Sequence, residues 1–129
     1  MRINTNMNIL FVYDDKSVIY QTQKVVGKHN LVLCKYCDLD NLRDEVIDII
    51  IMDFNLKRIA ERKYVPILTA KGRWHSPILA ILEDKSVENH LAILAMGALE
   101  CIERPMLDEE YKKKIEEMIR WKWFFEKTI

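Results

Sequence analysis

Val46-Ile47-Asp48-Ile49-Ile50-Ile51-Met52-Asp53 is the most apolar stretch of the chain, and it stops at an acid. A strand with one wet face alternates apolar and polar residues, whereas a run this apolar suits a strand covered on both faces, as in a parallel sheet. We read Val46–Met52 as the third strand of such a sheet. Asn8–Tyr13 has the same character and stops at Asp14-Asp15; it is the first strand. Leu31–Cys37, Pro77–Leu82 and the shorter Leu99–Ile102 supply the second, fourth and fifth. The segments between them carry helical signals. Ser17 is placed to cap a helix that puts Val18, Thr22, Val25 and Val26 on one face and ends at Gly27. Asp38 to Glu45 leaves room for only a brief helix. Phe54 to Ser76 is the least regular stretch, with Pro66 opening a short helix over Ile67–Lys71 before Gly72. Ser86 caps a helix through Met96, expected to turn Val87, Leu91, Ile93 and Leu94 inward and to stop at Gly97. Asp108 caps a long final helix over 108–129, with Tyr111, Ile115, Met118 and Ile119 on one stripe. Five strands alternating with helices predict a doubly wound α/β fold with a five-stranded parallel sheet and helices on both faces.

The chain has 129 residues, half of them hydrophobic, with 3 Gly and 3 Pro. That length suits one domain over 1–129, in which 1–7 is an N-terminal extension, and it leaves little sequence for linkers. Twenty basic and twenty acidic residues cancel, so no overall field would collect nucleic acid or anionic lipid. No run is long and apolar enough to span a membrane, and the polar start lacks a signal peptide's apolar core. The sequence reads as cytoplasmic. Three cysteines, an odd number, do not imply a disulfide framework.

In doubly wound sheets, sites form beyond the carboxyl ends of the strands. Asp14, Asp15 and Asp53 all fall at such ends, so if strands one and three are neighbours these carboxylates meet in one crevice. Crowded carboxylates repel, which raises at least one pKa unless a cation is present. Their hard oxygens favour Mg²⁺ or Ca²⁺, and Mg²⁺ bound by one or two carboxylates commonly recruits a phosphate oxygen as well. An aspartate there could also act as a nucleophile and form an acyl phosphate. The simpler reading is that each acid ends a strand or caps a helix; an adjacent pair with a third acid favours the site.

From Asn8 to about Lys127 the chain resembles the receiver domains of bacterial two-component response regulators, in which an apolar strand ends in two acids and an apolar third strand leads to a phosphoaccepting Asp. The resemblance implies a flavodoxin-like architecture with strand order 2-1-3-4-5. It implies that Asp53 accepts phosphate, that Asp14 and Asp15 hold Mg²⁺ directly or through water, and that Asn55 offers its backbone carbonyl to the metal. It also implies a histidine kinase or phosphotransfer protein as donor, and a protein that assists its own phosphorylation without being a turnover enzyme. The chain departs from the family pattern at several positions. Counting from Pro77, the family's switch hydroxyl falls on Leu82, which cannot hydrogen-bond a phosphoryl oxygen. The Lys-Pro pair is Arg104-Pro105, so a bidentate guanidinium would pair with the phosphoryl group in place of an ammonium. The aromatic switch position is Cys101, and the Pro-Gly loop after the acceptor is missing from Lys57 to Lys63. A second reading is therefore a pseudo-receiver, the same fold used for docking or dimerisation without phosphate.

Cys34 and Cys37 have redox spacing, but on one strand positions i and i+3 face opposite ways, so two buried structural cysteines are expected rather than a redox pair. His29, His75 and His90 sit in no metal motif. Lys112–Lys114 followed by Glu116-Glu117 reads as a solvated helix face. Trp121, Trp123, Phe124 and Phe125 cannot all be buried by one helical stripe. They either close the core or leave aromatics at a partner or dimer face built from the helix before strand five, strand five and the last helix.

Overall fold

The structure is a computed structural model that describes residues 6–43 and 45–128, the side chains of 125–128 aside. Most of the expected 1–7 extension, the side chain of Phe125 and residue 129 lie outside the described residues. The elements follow the order β1 (Asn8–Tyr13), α1 (Ile19–Val26), β2 (Asn30–Lys35), a 3₁₀ helix (Tyr36–Asn41), β3 (Ile49–Phe54), α2 (Leu56–Ala60), α3 (Val65–Trp74), β4 (Ile78–Leu82), α4 (Val87–Met96), β5 (Glu100–Glu103) and α5 (Asp108–Thr128). All strand pairs are parallel and the sheet order is β2-β1-β3-β4-β5, as expected.

The apolar runs are buried for the reason their composition suggests, since β3 and β4 are covered at every position. Alternate side chains feed two cores. On one face Ile9, Phe11, Ile49, Ile51, Leu79 and Ile81 meet α1 and the Tyr111, Ile115, Met118 and Ile119 stripe of α5. On the other, Leu10, Val12, Ile50, Met52, Phe54 and Leu82 meet Tyr36, Leu39, Ile59, Tyr64, Ile67 and Ile93. No described helix is long and apolar enough to cross a membrane.

Several expected boundaries move. β3 begins at Ile49 and runs through Phe54, so Asp53 lies inside the strand rather than after it. Val46 stays outside and exposed, because sheet pairing starts only where Ile49 meets Ile9. β2 ends at Lys35, which puts Cys37 on the exposed 3₁₀ turn while Cys34 is buried; the cysteines do not share a strand, and only one of them is buried. Ser17 does not cap α1. The cap position is Val18, and Ser17 turns back to Asp15. Gly72 does not stop α3, which continues to Trp74 and ends at His75 in a left-handed conformation. On α4 only Ile93 is fully buried; Val87, Leu91 and Leu94 face outward. Apolar residues occur all round that helix, so periodicity could not select the inward side, and Ala92 and Met96 supply the rest of the packing.

Candidate functional site

The central pairing of β1 with β3 sets Val12 opposite Met52, and so brings the carboxyl ends of the two strands to the same edge. Asp14, Asp15 and Asp53 are thereby gathered as expected, together with three residues that the chemistry of the acids alone did not single out: Arg58, Glu83 and Tyr36. Asp53 is the most constrained of the group. Its side chain is 1% exposed and neither carboxylate oxygen has a hydrogen-bond partner. Arg104 Nε lies 3.5 Å from Asp53 Oδ1, an ion-pair distance at which no hydrogen bond forms. Burial pushes the Asp53 pKa up to about 7; Arg104 opposes the shift, while Asp15, Glu83 and Asp14 add to it. A buried carboxylate with two unused oxygens is costly unless a proton or cation joins it.

The other acids are already partnered. Asp15 receives the backbone N–H and hydroxyl of Ser17, and Asn55 Nδ2 donates to its Oδ2 at 3.0 Å. These bonds, Ser17 first and Asn55 second, hold its pKa below the usual carboxylate value. Asp14 is gripped bidentately by Arg58, with Nε to Oδ2 at 2.7 Å and Nη2 to Oδ1 at 2.9 Å. Arg58 also stacks on the Tyr36 ring, 3.5 Å from its centroid, and gives Nη1 to the Lys63 carbonyl at 3.1 Å. Burial alone would lower the Arg58 pKa, but the Asp14 hydrogen bonds raise it overall. Tyr36 in turn donates its hydroxyl to the Asp53 carbonyl at 3.0 Å.

Asn55 organises the start of α2. Its side-chain oxygen caps the helix by accepting from Arg58 N–H at 2.8 Å, and its backbone carbonyl accepts from Ile59 N–H at 3.0 Å. The carbonyl that the family resemblance offers to a metal thus has one lone pair in use, and the side chain, which had no expected role, bridges Asp15 to α2.

Leu82 is not beside Asp53. It is fully buried in the core of the opposite sheet face, paired with Phe54, whereas Asp53 pairs with Ile81. The side chain that reaches the site from the end of β4 is Glu83, one residue on. Its Oε1 accepts from Leu56 N–H at 3.0 Å and from Arg104 Nη2 at 2.7 Å. Arg104 therefore lies between two carboxylates, and the bond joining it to Pro105 is cis. Counting from Pro77 missed this because side chains alternate along a strand, so a slip of one residue changes the face.

The donor set is all oxygen, and the orphaned Asp53 carboxylate is suited to a cation, so the residues present fit Mg²⁺. Among the described residues, however, no three His, Cys, Asp or Glu side chains stand ready as a metal cage, consistent with Asp14 facing Arg58. The remaining candidates are structural. Cys34 is buried with its thiol pKa raised by burial, the opposite of a reactive thiol. His29 Nδ1 accepts from Met7 N–H, and His90 lies 3.4 Å from Glu103. Lys114 meets Glu100 and Glu117, as a solvated face should. Trp121 and Phe124 are 42% and 64% exposed.

No family model and no curated protein matches the sequence. Solved structures do match by shape. A response regulator from Thermotoga maritima superposes with a TM-score of 0.74 at 12% identity, covering 89% of this chain and 98% of that one. The chemotaxis protein CheY4 of Vibrio cholerae gives 0.73 at 18%, covering 88% and 99%. The non-phosphorylated HemR receiver domain of Leptospira biflexa gives 0.70 at 20%, covering 88% and 94%. The chain has the flavodoxin-like fold of response-regulator receiver domains.

Proposed function

We propose that this chain is a receiver-type signalling module that takes a phosphoryl group onto Asp53 from the phosphohistidine of a histidine kinase or phosphotransfer protein. The observation that carries the reading is the Asp53 carboxylate, buried at the carboxyl edge of the sheet with neither oxygen hydrogen-bonded and within the field of Asp14 and Asp15. In the transfer, an Asp53 oxygen bonds to phosphorus as the donor's P–N bond breaks, and the departing imidazole keeps the electron pair and takes up a proton. Asp14, Asp15, Asp53 and the second lone pair of the Asn55 carbonyl would hold Mg²⁺, which when bound neutralises the charge gathered on the phosphoryl oxygens. Arg104, 3.5 Å from Asp53 Oδ1, would leave Glu83 to pair with the new phosphoryl group. Asp53 is consumed and restored rather than turning over a free substrate, so the domain is a phosphoprotein and not an enzyme in the usual sense. Its output would pass through a protein surface, and the outward apolar residues of α4 favour a homodimer through α4, β5 and α5.

The test is intact mass after incubation with a small-molecule phosphodonor, with and without Mg²⁺. A single Mg²⁺-dependent phosphoryl adduct that is lost in Asp53→Asn is expected. No adduct and no Mg²⁺ binding would reject this reading in favour of a pseudo-receiver that docks without phosphate.

A further inference from the structure

We infer that Arg58 is a tethered counter-ion for the acidic pocket, and that a divalent cation reaches Asp14 only by displacing its guanidinium. This rests on the proposal that the pocket takes Mg²⁺, and adds to it the residue of this chain that sets the affinity.

Both Asp14 oxygens are engaged, at 2.7 and 2.9 Å, in the fork geometry that makes guanidinium–carboxylate pairs stronger than single charge contacts. The guanidinium is also preorganised. The Tyr36 ring supports its plane at 3.5 Å, the Lys63 carbonyl takes a further N–H, and the side chain is only 11% exposed. Such a cation loses little further conformational freedom in holding its acid, unlike a long flexible side chain at the surface. The same short helix supplies Asn55 Nδ2 to Asp15, so α2 partners both members of the acid pair. Of the three acids, Asp53 is the one left without a hydrogen bond, only the Arg104 guanidinium standing at ion-pair distance, and its buried oxygens are what would draw a cation in.

Binding is then an exchange. A metal that takes up Asp14 gains the carboxylate only as the guanidinium gives it up. The guanidinium has somewhere to go: a cleft of about 140 Å³ lined by Asp14, Asn55, Lys57, Arg58, Glu61 and Lys63 adjoins it, in which Glu61, already paired with Lys63 Nζ at 2.9 Å, is an acid that it would share. If the Arg58–Asp14 pair were merely a brace between α2 and the loop after β1, removing it would leave cation affinity unchanged or weaken it. A competitor predicts the reverse.

The experiment is calorimetric titration of the protein and of Arg58→Met and Arg58→Gln with Mg²⁺, near-ultraviolet circular dichroism confirming the fold. Methionine keeps an apolar stem over Tyr36 and glutamine keeps a polar end. Both variants are expected to bind Mg²⁺ about tenfold more tightly, the scale of one lost charge-assisted pair. In the unaltered protein, which tests the idea even if the variants fold poorly, the Arg58 side-chain Nε–Hε resonance is expected to shift with the same midpoint as Mg²⁺ binding. Unchanged affinity in the variants, or an Arg58 resonance that stays put while Mg²⁺ saturates, would overturn the inference and leave the Mg²⁺ reading standing. Binding only in the variants would uphold the inference and reject Mg²⁺ as a ligand of the natural chain. Binding in none of them would reject both.

Discussion

The cost of holding Asp53 charged is the sharpest residue-scale consequence of the site. Its folded pKa of about 7 stands above the ordinary 3.8, so the folded protein binds a proton that the unfolded chain releases between those values. Stability must then fall as pH rises through that window, because the unfolded state holds fewer protons there. The full difference corresponds to about 4 kcal/mol at 1.36 kcal/mol per pH unit. In a metal chelator, urea denaturation is expected to show the protein losing about 2–4 kcal/mol from pH 4 to pH 8, and Asp53→Asn losing much less. Parallel pH profiles for the two proteins would mean that Asp53 is not held out of water as described. The three aspartates were legible because each stands where an apolar run of sequence meets an acid. Arg58 and Glu83 were not, because nothing in one basic residue among the several of an irregular stretch, or in an acid one step past a strand, says where its charge will point.

At the scale of elements, two glycines with the same sequence signal have opposite meanings. Gly97 ends α4 with φ at 128°, and a Cβ there would meet Lys71 Cδ at 3.0 Å. Gly72 lies within α3 at ordinary helical angles, with open space where a Cβ would go. Gly97→Ala is therefore expected to destabilise by about 2 kcal/mol, and Gly72→Ala to stabilise by about 0.5–1 kcal/mol. Thermal unfolding of the two variants checks both signs, and a stabilising Gly97→Ala would contradict the strained cap. Both glycines were read as helix stops and only one is. A stop needs a neighbour that closes the turn, and in α3 that role falls to His75, whose backbone N–H donates to the Lys71 carbonyl. α2 was missed for a related reason. It has five residues, and its start depends on Asn55 accepting from Arg58 N–H, a contact set by the path of the chain out of β3.

Across the whole molecule, burial divides into the two cores that the continuous apolar runs foretold. The strand order came from the likeness to receivers, because five alternating units fix the layers but not which strand lies beside which. The outward side of α4 is what neither source resolved. Ile93 anchors the helix while Val87 at 71%, Leu91 at 60% and Leu94 at 39% exposed face away from the sheet, and Leu99 at 42% lies between α4 and β5. Single exposed leucines are ordinary, but several on one helix beside a sheet edge form a patch suited to self-association. A two-fold dimer sets one patch against its own copy, so a single substitution alters the contact twice. Light scattering over a concentration series is accordingly expected to show the mass climbing from monomer toward dimer. Leu91→Glu should hold it at the monomer with melting temperature little changed, since Leu91 takes no part in either core. A mass that stays monomeric in the unaltered protein, or a dimer indifferent to Leu91→Glu, would reject pairing through this face.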